Sequence, residues 1–440
     1  MPSASRRPER PTESPSDLIY AAILKEAAPV AEMPLALDAE LAVSALLGGV
    51  YAATDLGRIE AVRQFAADFN RYLADQHGPE AGAVRAALTA LLPDTARESP
   101  KPGAPEAESR KAGAGRTGAR KTGRTAKPDD AAAPDSPSWA PAAGEVTCTG
   151  TWAITDNYGD QTQYVAGFAY RDADRGGPEH AMSYLLDHNL GIVKSLSVGV
   201  PAERVVDGWR EAAAEDPDIT IEDVPGGKLR ADVTAYLART DELEKPPDDT
   251  YVEQRTFAGS RLDLLPDDGV SSRPTLSDAA RDIVVTEFLQ SPEGSLSTST
   301  GAPPVSVISW GARAAVDFAV DDNTGDPLRW SPTAVELMLL DWAPREVSRG
   351  HEAGPWLPEV LDAFVSYAGR IKGQSESAVA ATRDAVTDAA VRYTDLMTGD
   401  TLGEPVTDVL ARMVADGVDP LNDEEVLEWV LADRARRERD

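Results

Sequence analysis

EVTCTGTWAITDNYGDQTQYVAGFAY, residues 145–170, is the stretch where the chain changes period. Val146, Cys148, Thr149, Trp152 and Ile154 give the β-branched and aromatic pattern of a strand, and Gln163 to Tyr170 gives a second. Between them Asp156-Asn157-Tyr158-Gly159-Asp160 supplies the residue types that close a turn. Downstream, His180 to Asp187 and Ile192 to Val198 read as two more strands. Pro201 opens a helix with Val205, Val206, Trp209 and Ala213 on its inner face, Ile219 to Val224 is a short strand, and Lys228 to Thr240 is a helix. Strands in succession followed by alternating elements predict an α+β module with an antiparallel sheet over 145–265.

Upstream of this module the period is helical. Ser16 or Asp17 caps a first helix over Leu18, Ile19, Ala22 and Ile23, and a second covers about 38–53. The third begins after Thr54-Asp55 and aligns Leu56, Ile59, Val62, Phe65, Phe69 and Leu73 at spacings of three and four. The fourth runs from Pro79 to Leu92, with proline tolerated in its first turn. These four predict a helical bundle over 15–92, preceded by a disordered tail over 1–14. Downstream, after a short hinge at 266–274, helices are expected over 275–290, 332–342, 356–371, 375–397, 403–416 and 422–437. They form a C-terminal helical domain over 275–440, with Trp310, Trp330, Trp342 and Trp356 anchoring its core. The expected fold class is therefore α+β, mostly helical.

The bundle and the sheet module are separated by residues 93–144, rich in Pro, Gly, Ala, Ser and charge, which bury too little apolar surface to offset chain ordering and read as a disordered linker. Inside it, over 110–127, lies a charge reversal. The whole chain carries −31, yet Arg110, Lys111, Arg116, Arg120, Lys121, Arg124 and Lys127 follow one another with no Asp or Glu between them. An acidic protein of this kind repels polyanions except at such a strap. Phosphate contacts there would be salt-sensitive and blind to sequence, and the absence of aromatic residues argues against base stacking.

Motifs that carry chemistry are few. Gly113-Ala114-Gly115-Arg116-Thr117-Gly118 fits G-x-G-x-x-G without a strand before it or a helix after it. Pro225-Gly226-Gly227-Lys228 lacks the earlier glycine of a phosphate loop and has Leu229 where Ser or Thr would hold magnesium. Asp321-Asp322-Asn323-Thr324-Gly325-Asp326 has Asp326 where a calcium loop needs Gly and Pro332 where it needs Glu. Neither G-x-S-x-G nor H-E-x-x-H occurs, and the single Cys148 excludes a disulfide framework or a cysteine zinc cluster. No cofactor or metal is implied.

Asp187-His188-Asn189, at the end of a strand, is the candidate catalytic tripeptide: Asp187 or His188 as general base, Asn189 as an orienting donor. His180, eight residues earlier, is about 26 Å away along a continuous strand and cannot share a metal with His188 unless the strand bends. Cys148, with either histidine as base, is a second nucleophile candidate. Arg6-Arg7 is followed by Pro8 to Glu13 rather than an apolar run, and Leu41 to Ala53 is too short to span a bilayer, so no membrane partner and a cytoplasmic location are expected. The favoured expectation is a non-enzymatic interaction or regulatory protein with a protein partner. A hydrolase-type enzyme around Asp187 and His188 and a weak nucleic-acid or other polyanion contact through the strap are the alternatives.

Overall fold

The computed structural model describes residues 15–93, 136–216, 218–271, 276–296, 303–348, 351–398 and 412–418, with Glu425, Trp429 and Ala432 besides. The chain is mostly helical around one antiparallel sheet, which is the α+β class expected. The helices expected over 403–416 and 422–437 lie almost wholly outside the described residues; of the first, residues 412–415 are helical.

The N-terminal helices are α1 (Pro15–Glu26), α2 (Ala36–Ala52), α3 (Arg58–Ala74) and α4 (Pro79–Leu91), with a 3-10 turn, Ala28–Glu32, joining the first two. The stripe of α3 buries Val62, Ala66, Phe69 and Leu73, but Leu56 falls outside the helix and is exposed. The chain reverses at Gly57, whose φ of 65° favours glycine, so the helix begins two residues later than Leu56. Arg58 then turns inward and donates to the carbonyls of Thr54 at 2.7 Å, Asp241 at 3.2 Å and Glu244 at 2.7 Å.

The sheet comprises β1 (Val146–Asp156), β2 (Gln161–Tyr170), β3 (His180–Asp187), β4 (Ile192–Gly199) and β5 (Ile219–Asp223), in the order β4-β3-β2-β1-β5. Every pairing is antiparallel, and Thr155 faces Thr162 across the β1–β2 turn. Alternation gives the sheet two buried faces. Tyr164, Ala166, Phe168, Met182, Tyr184 and Leu186 join the large core, while Ile154, Val165 and Ala181 meet Ala202 and Val206 of α6 (Ala202–Glu215). A short α5 (Ala173–Gly176) follows β2, and α7 (Gly226–Asp241) and α8 (Asp249–Leu262) follow β5.

The helix α8 joins the halves of this core. It packs on β4 and, more extensively, on α2. Because it is buried on two sides, its apolar residues Tyr251, Phe257, Ala258 and Leu262 make no single stripe, and it carries buried Thr256 and Arg261. That two-sided burial hides it from a search for amphipathic period. The bundle and sheet therefore share one core. The linker expected to run to 144 also ends earlier: Trp139 is buried in the same core, and the Gly144 N–H donates to Glu40 at 2.9 Å.

The C-terminal helices are α9 (Asp278–Gln290), α10 (Val305–Asp317), α11 (Pro332–Leu337), α12 (Ala343–Glu346), α13 (Leu357–Lys372) and α14 (Glu376–Thr398). Ser331 caps α11, its hydroxyl accepting from the Ala334 N–H at 3.0 Å. Two π-helical turns, Phe318–Asp322 and Met338–Trp342, extend α10 and α11 and are tied together where Trp342 Nε1 donates to Asp322 at 2.9 Å. The core is a second cluster, with Phe288, Phe318, Trp330, Leu361 and Phe364. Of the four tryptophans expected to anchor it, only Trp330 is fully buried; Trp310, Trp342 and Trp356 are half-buried, and Trp310 stacks on His351. The unanticipated α10 depends on small residues: a Cβ on Gly311 would stand 2.9 Å from Val360 of α13. Among the described residues no helix is long and apolar enough to cross a membrane.

Candidate functional site

Asp187 closes β3. Its carboxylate accepts the Leu190 N–H at 3.0 Å and its carbonyl accepts the Gly191 N–H at 2.8 Å, which fixes the β3–β4 turn; Gly191 has φ 69°. His188 donates its backbone N–H to Asp160 O at 2.9 Å, joining this turn to the neighbouring β1–β2 turn. Both imidazole nitrogens are engaged: Nε2 with the Thr162 hydroxyl at 2.7 Å, and Nδ1 with the Tyr236 hydroxyl of α7 at 2.6 Å. The Tyr236 ring stands edge-on to the imidazole. Burial, reinforced by the Arg329 and Lys228 charges and opposed by Asp232, pushes the His188 pKa down to about 3, so the ring is neutral at pH 7. A neutral imidazole has one donor and one acceptor nitrogen, and two hydroxyls take up both.

Asn189 and Ser331 lie beside the Asp160 carboxylate and favour its charged form, and Arg329 is 3.7 Å away. Burial raises the Asp160 pKa against these partners and lowers that of Arg329. Arg329 donates to Tyr158 O at 2.9 Å, and a Cβ on Gly159 would stand 3.0 Å from its Nε. The Tyr158 hydroxyl donates to Ala378 O at 3.4 Å and Asn157 reaches Ser375 at 3.3 Å. The structure thus gathers His188, Asn189 and Asp160 at the junction of the sheet module with the C-terminal helices. It adds Thr162, Tyr236, Arg329 and Ser331, which no local pattern links to them.

The other candidates are dispersed. His180 is fully buried: Arg261 donates to its Nε2 at 3.1 Å, to Tyr170 at 2.8 Å and to Glu40 at 2.6 Å. Burial, reinforced by Arg261, takes its pKa to about 3. Cys148 is exposed on β1, with a thiol pKa raised by desolvation, the opposite of an activated nucleophile. At the start of α7 the backbone of Gly269 lies against Gly227, where a Cβ would meet the Asp268 carboxylate at 2.3 Å. In the acidic loop Asp321 pairs with Arg281, Asp322 accepts from Trp342, and Asp326 accepts the Leu328 N–H and pairs with Lys372. Among the described residues no three His, Cys, Asp or Glu side chains gather as a metal site. Arg110, Lys111, Arg116, Arg120, Lys121, Arg124 and Lys127, and the glycines of 113–118, lie outside the described residues.

Two of the clefts elsewhere among the described residues border the N-terminal helices. One of about 840 Å³ runs between α3, α4 and α8 and is lined by Arg85, Glu145 and Asp263 among small residues. Its acids are paired, Glu145 with Arg171 and Asp263 with Arg230. The other, of about 690 Å³, lies between α1, the 3-10 turn, α2 and α3. Ile23, Val30, Met33, Leu46, Val50 and Phe65 form its walls, and Ala42, Ala45, Gly49 and Ala53 of α2 its floor. The adjoining α1 buries no residue completely, and Leu18 and Ile19 are each more than half exposed.

Comparison of the chain with protein-family models, with curated proteins and with solved structures gave no match.

Proposed function

We propose that this is a non-enzymatic interaction protein that docks a partner helix in the groove between α1, α2 and α3. The observation that carries this reading is the groove itself, lined mainly by apolar side chains, with Glu26 the one charged residue in its lining among the described residues. Half-buried apolar walls over an exposed floor of Ala45, Gly49 and Ala53, beside a helix with no buried residue, favour a docking role. The hydrogen bonds around Asp187 and His188 favour docking over hydrolysis, since the carboxylate holds a turn and both imidazole nitrogens have hydroxyl partners.

The test fills the groove without touching the core. Gly49 is exposed and a Cβ there meets nothing within 4 Å. Photo-crosslinking in extracts from a photoreactive residue placed at the exposed Ala53 of the full chain is expected to trap a partner. Gly49→Trp is expected to reduce that capture by about tenfold with the unfolding midpoint unchanged. Equal capture by native chain and variant would refute the reading.

A further inference from the structure

The helix α2 carries two adjacent glycines, about 100° apart around its axis, with different surroundings. Gly48 is buried, and a Cβ there would stand 2.7 Å from the Val252 carbonyl and 3.1 Å from Glu253 Cα, so the backbone of α8 rests directly on it. Ser44, one turn earlier, completes that contact by donating to Glu253 O at 2.7 Å. Gly49 offers the same bare backbone on the outer side, with nothing within 4 Å. It continues a row of small residues, Ala42, Ala45, Gly49 and Ala53, at helical spacing along the groove floor. The inner side of α2 shows what such a surface accepts, a helix at close approach.

Charge selects the kind of helix. Asp38 begins the same row, four residues before Ala42. Glu26 lines the groove, Glu32 sits between the wall residues Val30 and Met33, and Asp55 follows the lining Thr54. All four carboxylates are exposed, and Lys25 is the one cation next to them in the chain. The whole chain carries −31. We infer that the outer face of α2 takes an amphipathic helix of a partner protein whose apolar stripe is flanked by Lys or Arg. This rests on the docking reading above and names its partner class. The strap at 110–127 does not qualify, for it has no apolar side chain larger than Ala.

Fluorescence anisotropy of labelled peptides with the full chain tests it. Three probes of about 14 residues, roughly 21 Å as helices, are needed: Leu/Lys with Leu at helical spacing, its Leu/Glu counterpart, and a scrambled Leu/Lys. The native chain is expected to bind the amphipathic Leu/Lys peptide about tenfold tighter than either other probe. Gly49→Trp is expected to remove that preference and Gly49→Ala to keep it. Equal Leu/Lys binding by native chain and Gly49→Trp, or no binding, overturns both this inference and groove docking. Groove-dependent binding of Leu/Glu as tight as Leu/Lys overturns the basic partner alone and leaves docking in place. Sedimentation showing a native dimer that Gly49→Trp converts to monomer assigns the groove to a second copy and overturns the basic partner.

Discussion

At the scale of single residues, buried charge decides more than any motif. Arg261 and Glu40 are almost wholly inaccessible, and their 2.6 Å contact ties α8 to α2, with Tyr170, His180 and Ser260 also accepting from the guanidinium. Removing one partner of such a pair leaves an uncompensated charge in a low dielectric. Glu40→Ala is expected to lower unfolding free energy by about 3–5 kcal/mol in urea titrations, with Glu40→Gln milder because an amide still accepts from Arg261. His188 works through protonation. Its folded pKa, about 3, lies below the 6.5 of the unfolded chain, so the unfolded state binds more protons between those values. The stability contributed by the neutral ring is complete above pH 6.5 and is lost as pH falls toward 3. In His188→Gln the slope of unfolding free energy between pH 6 and 4 should be shallower by about 1 kcal/mol per pH unit. An unchanged slope would mean that the imidazole is not held neutral.

At the scale of elements, α2 makes the sharpest prediction, because its two glycines differ only in what faces them. Alanine is worth up to about 1 kcal/mol over glycine in a helix interior. Gly49→Ala should collect that gain and raise the unfolding midpoint. Gly48→Ala should lower it, since the added carbon meets the Val252 carbonyl at 2.7 Å and backbone cannot step aside cheaply. Paired thermal melts read both signs, and a shift in the same direction for both would remove the packing argument on which the groove floor depends.

At the scale of the whole molecule there are two large cores. One runs from the bundle through α8 to the sheet, and the other lies within the C-terminal helices. What joins them around the β1–β2 turn is polar: Arg329 to Tyr158, Tyr158 to Ala378, Asn157 to Ser375 and Arg329 to Asp160. Contacts of this kind couple domains weakly. Scanning calorimetry of the full chain is expected to resolve two transitions. A single peak with equal calorimetric and van't Hoff enthalpies would show that the junction makes one cooperative unit.

Much of the architecture was legible in residues 145–240 and 15–92, because a strand or helix that buries one face writes its period into the chain. The sheet, its antiparallel order of turns, α3 and α6 follow from local spacing, and Ser331-Pro332 announces α11. The candidate tripeptide was legible only as residue types. Asp187 holds a turn, and His188 is closed off by Thr162 and Tyr236, partners 26 and 48 positions away. The sequence by itself determined the alternation, the caps and the charge imbalance, since these depend on neighbours within a few residues. Tertiary structure alone decided that α8 exists as the shared wall of one core, that Glu40 meets Arg261 across 221 positions, and that Gly48 is covered while Gly49 is open. Each depends on which surfaces meet after the chain has folded, and burial on two sides or contact at long range leaves no period to read.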